Sequence, residues 1–208
     1  MGVHAVSRGL RRAVFLDRDG VLNRPVVRQG RPYPPACMEE LEIFPDAPAA
    51  LAALKEAGFS LIVVTNQPDV ARGAQQRSLV EAMHAALQTA LALDAFYVCY
   101  HDDADACQCR KPKPGLLLTA AGEHGISIPE SYMIGDRWRD IEAGQRAGCR
   151  NVWIDRGYSE RRPSAPPDFT ASSLSVAAAW IFQQVRKDRR RHAVPHFERS
   201  EGRDVRDQ

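Results

Sequence analysis

The sequence predicts an α/β fold, a parallel sheet flanked by helices. Three observations carry it. Short apolar runs alternate with amphipathic stretches from residue 13 to residue 185. "SLIVVTN" (60–66) is a continuous β-branched run of the kind buried on both faces of a sheet. Several amphipathic stretches stop at a glycine. In chain order, "AVFLD" (13–17) is a short strand ending in an acid, and "DAPAALAALKEAGF" (46–59) is a helix with an Asp cap candidate and a Gly stop. Strand 60–66 is followed by the amphipathic helix "SLVEAMHAALQTALAL" (78–93) and the strand "AFYVCYH" (95–101). "KPGLLLTAAGEHG" (113–125) is a helix, "SYMIGD" (131–136) another strand ending in an acid, and "WRDIEAGQRAG" (138–148) a helix. "NVWID" (151–155) is a last strand, "RRPSAPPDF" (161–169) a Pro-rich surface loop, and "SLSVAAAWIFQQV" (173–185) a closing helix. Such alternation implies right-handed crossovers and a Rossmann-like sheet.

Ligands bind such sheets beyond the carboxyl ends of the strands. Asp17, Thr65, His101 and Asp136 all fall at or just past predicted strand ends, so they are expected to converge on one rim.

Composition narrows the classes. The chain has 208 residues and a net charge of +2, room for one domain (1–185) and no nucleic-acid coat. Residues 186–208 carry about +3, leaving the rest near −1, and read as a disordered basic tail. The tail has no aromatic interleaving for base stacking, so nucleic acid is not the expected partner. The N-terminal apolar run is too short for a signal segment, and no stretch approaches a membrane span. A cytoplasmic, monomeric protein is expected, with its five cysteines as thiols or metal ligands.

Asp17 and Asp19, with Asp136, would make an oxygen-rich site suited to Mg²⁺. A carboxylate there can act as a nucleophile, and its neighbour can move the proton. Alone, Asp17–x–Asp19 reads equally as an acidic turn. In "VVTNQPDVARG", Thr65 offers a hydroxyl, Asn66 and Gln67 amides, and Arg72 a guanidinium; the alternative is an ordinary strand-to-helix turn. In "CRKPKPG", Arg110 and Lys111 would balance the acids, or form a solvated basic loop.

Together, "FLDRDGVLN", "VVTNQ", "RKPKPG" and "MIGDRWRD" resemble, in order, the four motifs of the haloacid dehalogenase-type phosphatase superfamily, over residues 13–156. The resemblance implies Asp17 as nucleophile and Asp19 as general acid/base. It implies that Thr65 and Lys111 hold the phosphoryl group. It also implies Mg²⁺ on Asp17, the Asp19 backbone carbonyl and Asp136. Asp140, one helical turn beyond Asp136, orients the metal site or forms a helix-terminal ion pair.

Cys99, His101, Cys107 and Cys109 put three sulfurs and one imidazole within eleven residues, a full tetrahedral set suited to structural rather than catalytic Zn²⁺. A redox or buried cysteine cluster is the alternative. Cys37 and Cys149 read as ordinary thiols, and His84 as helix packing. Within the superfamily, such a zinc loop resembles the heptose bisphosphate phosphatases and the histidinol-phosphate phosphatases. "VARG" and "KPKPG" are similar to the first group, and the short gap between His101 and Cys107 to the second. Arg72, Arg110 and Arg137 would make the rim cationic, which suits a small phosphorylated sugar, as substrate, better than a cationic amine. Segment 24–35 is too short for a cap domain and is expected, with the zinc loop, to form the only lid. A silent zinc-stabilised interaction module is disfavoured, because both carboxylates, Thr65, Lys111 and Asp136 are all present.

Overall fold

The computed structural model describes residues 10–192. Six parallel strands form one sheet in the order β5-β4-β1-β6-β7-β8. The strands are β1 (Arg12–Leu16), β4 (Phe59–Asn66), β5 (Ala95–Cys99), β6 (Tyr132–Gly135), β7 (Arg150–Ile154) and β8 (Phe169–Ala171). A separate antiparallel hairpin, β2 (Val26–Arg28) and β3 (Arg31–Tyr33), leaves the main sheet after β1. Helices α1 (Ala47–Glu56), α2 (Arg77–Leu91), α3 (Gly115–His124), α4 (Trp138–Ala147) and α5 (Leu174–His192) make the crossovers and close the chain.

Period-two alternation along β1 feeds two cores. Val14 and Leu16 face a cluster with Leu51, Leu54, Leu174 and Ile181, so α1 and α5 cover one side. Ala13 and Phe15 face Leu117, Ala120, Met133 and Ala143, so α3 and α4 cover the other. Burial on both faces explains why β1 and β4 are apolar almost throughout.

After β1 the chain builds outward through β4 to β5, then returns to lay β6, β7 and β8 on the other side. The direction reverses between β1 and β6, and Asp17 and Asp136 follow those two strands at that crevice.

Three expectations change. The stretch read as surface loop contains the start of β8, whose three residues pair with β7 and are too short to show a period. The closing helix runs on through 186–192 instead of stopping at 185, because that stretch is rich in Arg and Lys, lacks Gly and Pro, and is tied back by Arg150 to Asp188 at 2.8 Å. The rest of the expected tail, 193–208, lies outside the described residues. Asp46 precedes α1 but does not cap it; its carboxylate accepts the backbone N–H of Ser175 on α5, at 2.9 Å. Among the described residues no helix is long and apolar enough to cross a membrane.

Leu54 is fully buried between α1 and the sheet, away from the strand ends. Leu54→Ala should cost about 2–5 kcal/mol in urea unfolding and leave the activity of the folded fraction unchanged.

Candidate active site

Asp17 leaves β1 with its backbone N–H donating to Ile134 on β6, at 3.0 Å. Gly20 turns the chain at a φ of +89°, and a Cβ there would lie 1.7 Å from the Asp136 carboxylate. Glycine is therefore required twice, for the left-handed backbone and for the close approach to Asp136.

Lys111 carries its ammonium, 2% exposed, into this floor. It donates to Asp17 Oδ1 at 2.7 Å and to the Val64 carbonyl at 2.7 Å, and pairs with Asp140 Oδ1 at 2.6 Å. The other oxygen of Asp140 accepts the backbone N–H of Arg137 at 3.0 Å. Asp140 therefore serves as an ion-pair partner and closes the first turn of α4 at once. Asn66 exchanges two 3.0 Å hydrogen bonds with the backbone of Lys111. Its amide thus holds the Lys111 loop.

Burial raises the pKa of Asp17 to about 6, with the Asp140 and Asp19 charges adding and Lys111 opposing. Burial opposes a charged Lys111, but the Asp140 and Asp17 carboxylates outweigh it and raise its pKa. Burial, then the charges of Asp17 and Asp140, push Asp136 well above the usual carboxylate range. Neither Asp136 oxygen has a hydrogen-bond partner in strict geometric range among the described residues, although the Tyr158 hydroxyl lies near enough to oppose the rise in its pKa. Asp17, Asp136 and Asp140 bring ligand oxygens within 4.8 Å of one another. Orphaned buried oxygens in an anionic cluster fit a hard divalent cation.

Asp19 has a different environment. Burial raises its pKa, but the Arg18 charge and hydrogen bonds, with those of Asn23 and Gln67, bring it below the ordinary value. Arg18 Nε and Nη2 reach its two oxygens at 3.1 and 2.8 Å, Asn23 Nδ2 donates at 2.9 Å and Gln67 Nε2 at 3.0 Å. Gln67 also donates to Thr65 Oγ1 at 3.0 Å, which leaves the threonine proton for another acceptor. The sequence did not single out Arg18 or Asn23; nothing in their spacing distinguishes them from turn residues.

A cleft of about 490 Å³ opens over these groups. Arg31 to Pro34 of the hairpin form one wall, and Arg137, Trp138 and Arg161 another. Arg72 lines the cleft but pairs with Asp102 at 2.5 Å; Arg137 pairs with Glu160. Arg110 lines a neighbouring hollow and donates to Asp103 at 2.8 Å. His101 does not join the acids on the rim. Its Nδ1 faces the sulfurs of Cys99 and Cys109 at 3.6 and 3.3 Å. Cys107 Sγ lies 3.7 and 3.4 Å from those of Cys99 and Cys109, which are 3.3 Å apart. A tetrahedral zinc with bonds of about 2.0–2.3 Å puts its ligands roughly 3.3–3.8 Å apart, and these separations of 3.3–3.7 Å lie in that range.

A HAD-hydrolase-like family model matches residues 108–177. A D-glycero-D-manno-heptose-1,7-bisphosphate 7-phosphatase of Thermosynechococcus vestitus is 34% identical over 193 residues, 82% of this chain and 95% of the relative. The chain belongs to the haloacid dehalogenase-like phosphatases. A D-glycero-beta-D-manno-heptose-1,7-bisphosphate 7-phosphatase of Escherichia coli is 37% identical over 177 residues, 78% of this chain and 90% of the relative. The crystal structure of the D,D-heptose 1,7-bisphosphate phosphatase of B. bronchiseptica, complexed with magnesium and phosphate, aligns with a TM-score of 0.69 and 26% identity, over 83% of this chain and 99% of that one. Phosphatases of this family hydrolyse phosphate monoesters and use Mg²⁺.

Glu142, buried on α4, fastens the loop that carries the Arg161 wall. It accepts from Arg161 Nη1 and Ser164 Oγ, both at 2.8 Å. The Arg161 hydrogen bond, then those of Ser164, hold its carboxyl down at about 2 against the pull of burial. The folded value lies below the ordinary 4.5, so this contribution is complete above that pH and is lost as the pH falls toward 2. Glu142→Gln should be less stable near neutrality and should lose less stability on acidification, read by urea unfolding from about pH 5 to about pH 2.

Proposed function

We propose that this phosphatase removes the 7-phosphate of D-glycero-D-manno-heptose 1,7-bisphosphate through an aspartyl-phosphate on Asp17. The observation that carries the substrate is the shared name of relatives that match over 90% or more of their own length. The cleft is of a size suited to a small soluble sugar.

In this reading, Asp17 attacks the phosphorus in line, and the bond to the sugar oxygen breaks. Asp19 gives that oxygen a proton, then takes one from the water that attacks the aspartyl-phosphate. Asp19 is held ionised in the free protein, so it must first take up a proton from solvent or from the monoanionic substrate phosphate; the arriving phosphate favours that uptake by raising its pKa through like-charge repulsion. Lys111 and the free proton of Thr65 stabilise the phosphoryl oxygens. Gln67 and Asn66 set the geometry of Asp19, Thr65 and Lys111. Arg72 and Arg137 line the cleft and would meet the substrate's remaining oxygens by exchanging their carboxylate partners for them, with Arg110 in the adjoining hollow beside them.

Asp17, the Asp19 backbone carbonyl and Asp136 would hold Mg²⁺, with Asp140 alongside. The cation supplies charge neutralisation between the carboxylates and the phosphate. Cys99, His101, Cys107 and Cys109 would hold a structural Zn²⁺. The five sulfur and nitrogen separations support this, as does the low apolar content of the loop between them.

A kcat/KM comparison of the two heptose 1,7-bisphosphate anomers, histidinol phosphate and fructose 1,6-bisphosphate tests the substrate. A heptose bisphosphate should be preferred, and preference for histidinol phosphate would overturn the assignment. Asp17→Asn should lower turnover on the order of 10³-fold or more with unchanged melting. Demonstrated removal of zinc should lower the melting temperature by more than about 5 °C; unchanged melting would exclude a structural metal.

A further inference from the structure

A buried histidine outside the proposed machinery reaches it through one side chain. His84 sits on α2, 7% exposed, stacked on Phe96 with ring centroids 4.7 Å apart. Its Nε2 lies 3.1 Å from Nη1 of Arg18, a residue with no exposed surface. A guanidinium cannot accept a hydrogen bond, so His84 Nε2 is the acceptor and its proton is on Nδ1. Burial, then the neighbouring Arg18 charge, holds the imidazole neutral, with its pKa lowered to about 4. The same guanidinium turns its Nε and Nη2 to the two oxygens of Asp19.

We propose that His84 is a positioning residue for Asp19, acting through the buried guanidinium of Arg18. The proposal rests on the reading of Asp19 as the group that protonates the leaving oxygen. The physical argument is one of accounting. A fully buried guanidinium needs acceptors along each edge. Asp19 supplies them on one side and His84 on the other, and the two fix the plane of the fork. Without the imidazole nitrogen, the buried Nη1 edge loses the acceptor that faces it. Arg18 then tilts toward other acceptors, and the Asp19 carboxylate turns with it. Misplacement by an ångström is enough to slow a proton transfer substantially. The stacked Phe96 ring holds the imidazole in the plane this contact requires. Packing alone would be served equally well by an apolar residue, which has no acceptor for Arg18.

Leaving-group chemistry separates positioning from packing. A sugar alkoxide needs a proton as it departs, whereas p-nitrophenolate does not. Moreover, kcat/KM reports only the steps up to formation of the aspartyl-phosphate. The full-length, Mg²⁺-loaded protein should be assayed on its preferred sugar phosphate and on p-nitrophenyl phosphate. His84→Leu should lose about tenfold in kcat/KM on the sugar phosphate and change little on p-nitrophenyl phosphate. His84→Gln, whose Oε1 can accept from Arg18, should recover most of the loss. If His84→Leu does not fold, His84→Asn, too short to reach Arg18, replaces it. Asp19→Asn, run in parallel, should show the same split at about 10²-fold or more. Equal losses on both substrates in the folded His84 variants, or no loss, would overturn the inference while Asp19→Asn still splits them. An unsplit Asp19→Asn would overturn the acid/base assignment and this inference with it.

Discussion

The ammonium of Lys111 stands between the carboxylates of Asp17 and Asp140, with Asp136 beside them, and all four side chains are buried. Burial first, and then the mutual repulsion of the three carboxylates, pushes Asp17 and Asp136 upward, so the cluster calls for cations. Removing Lys111 would leave uncompensated buried charge, a cost far larger than that of losing a surface pair. Its position in turn depends on Asn66 at the end of β4, which grips its backbone, and on the loop of Cys99 to Cys109 just before it. The cluster therefore couples four segments that are distant in sequence.

The sheet topology makes that coupling cheap in geometry. Reversal of strand order beside β1 delivers Asp17 and Asp136 as neighbours, and β4 brings Thr65 to the same edge. What the sheet does not provide, the connections do. The hairpin tip is tied to the loop after β7 by the Ser159 N–H donating to the Gly30 carbonyl at 2.8 Å. That loop is fastened in turn to α4 by Glu142 and Arg137. The two walls of the cleft are thus linked to each other across its mouth.

Most of the fold was legible because strands buried on both faces have long apolar runs and the helices carry stripes ended by glycine. Segments of three residues, β2, β3 and β8, have no period to read. The chemistry-bearing acids were legible because they fall at strand ends, where the fold itself predicts convergence. Arg18 and His84 were not. One sits in a turn and the other on a helix face, and only the packing of α2 against the site reveals that they touch. His101 misled by the same logic that worked for Asp17. It follows a strand end, yet its imidazole turns to the sulfurs of Cys99 and Cys109 instead of the acids.

The arginines show how the pairing of charge, more than its sum, shapes the site. Counting Arg72, Arg110 and Arg137 predicts a strongly cationic rim. In the folded chain each is met by a carboxylate, from Asp102, Asp103 and Glu160 respectively. Arg139 shares Asp103, and Arg161 is held by Glu142 with its guanidinium 3.4 Å over the Trp138 ring. An exposed pair of this sort contributes little net energy, on the order of 1 kcal/mol or less. It does, however, fix the fork in one orientation before any ligand arrives. A phosphate can displace a carboxylate from such a fork at small cost, because one anion replaces another. A rim built in this way keeps its free-state charge balanced, and under the proposed function it would exchange one oxyanion for another, whereas a cationic amine would meet carboxylates that are already paired.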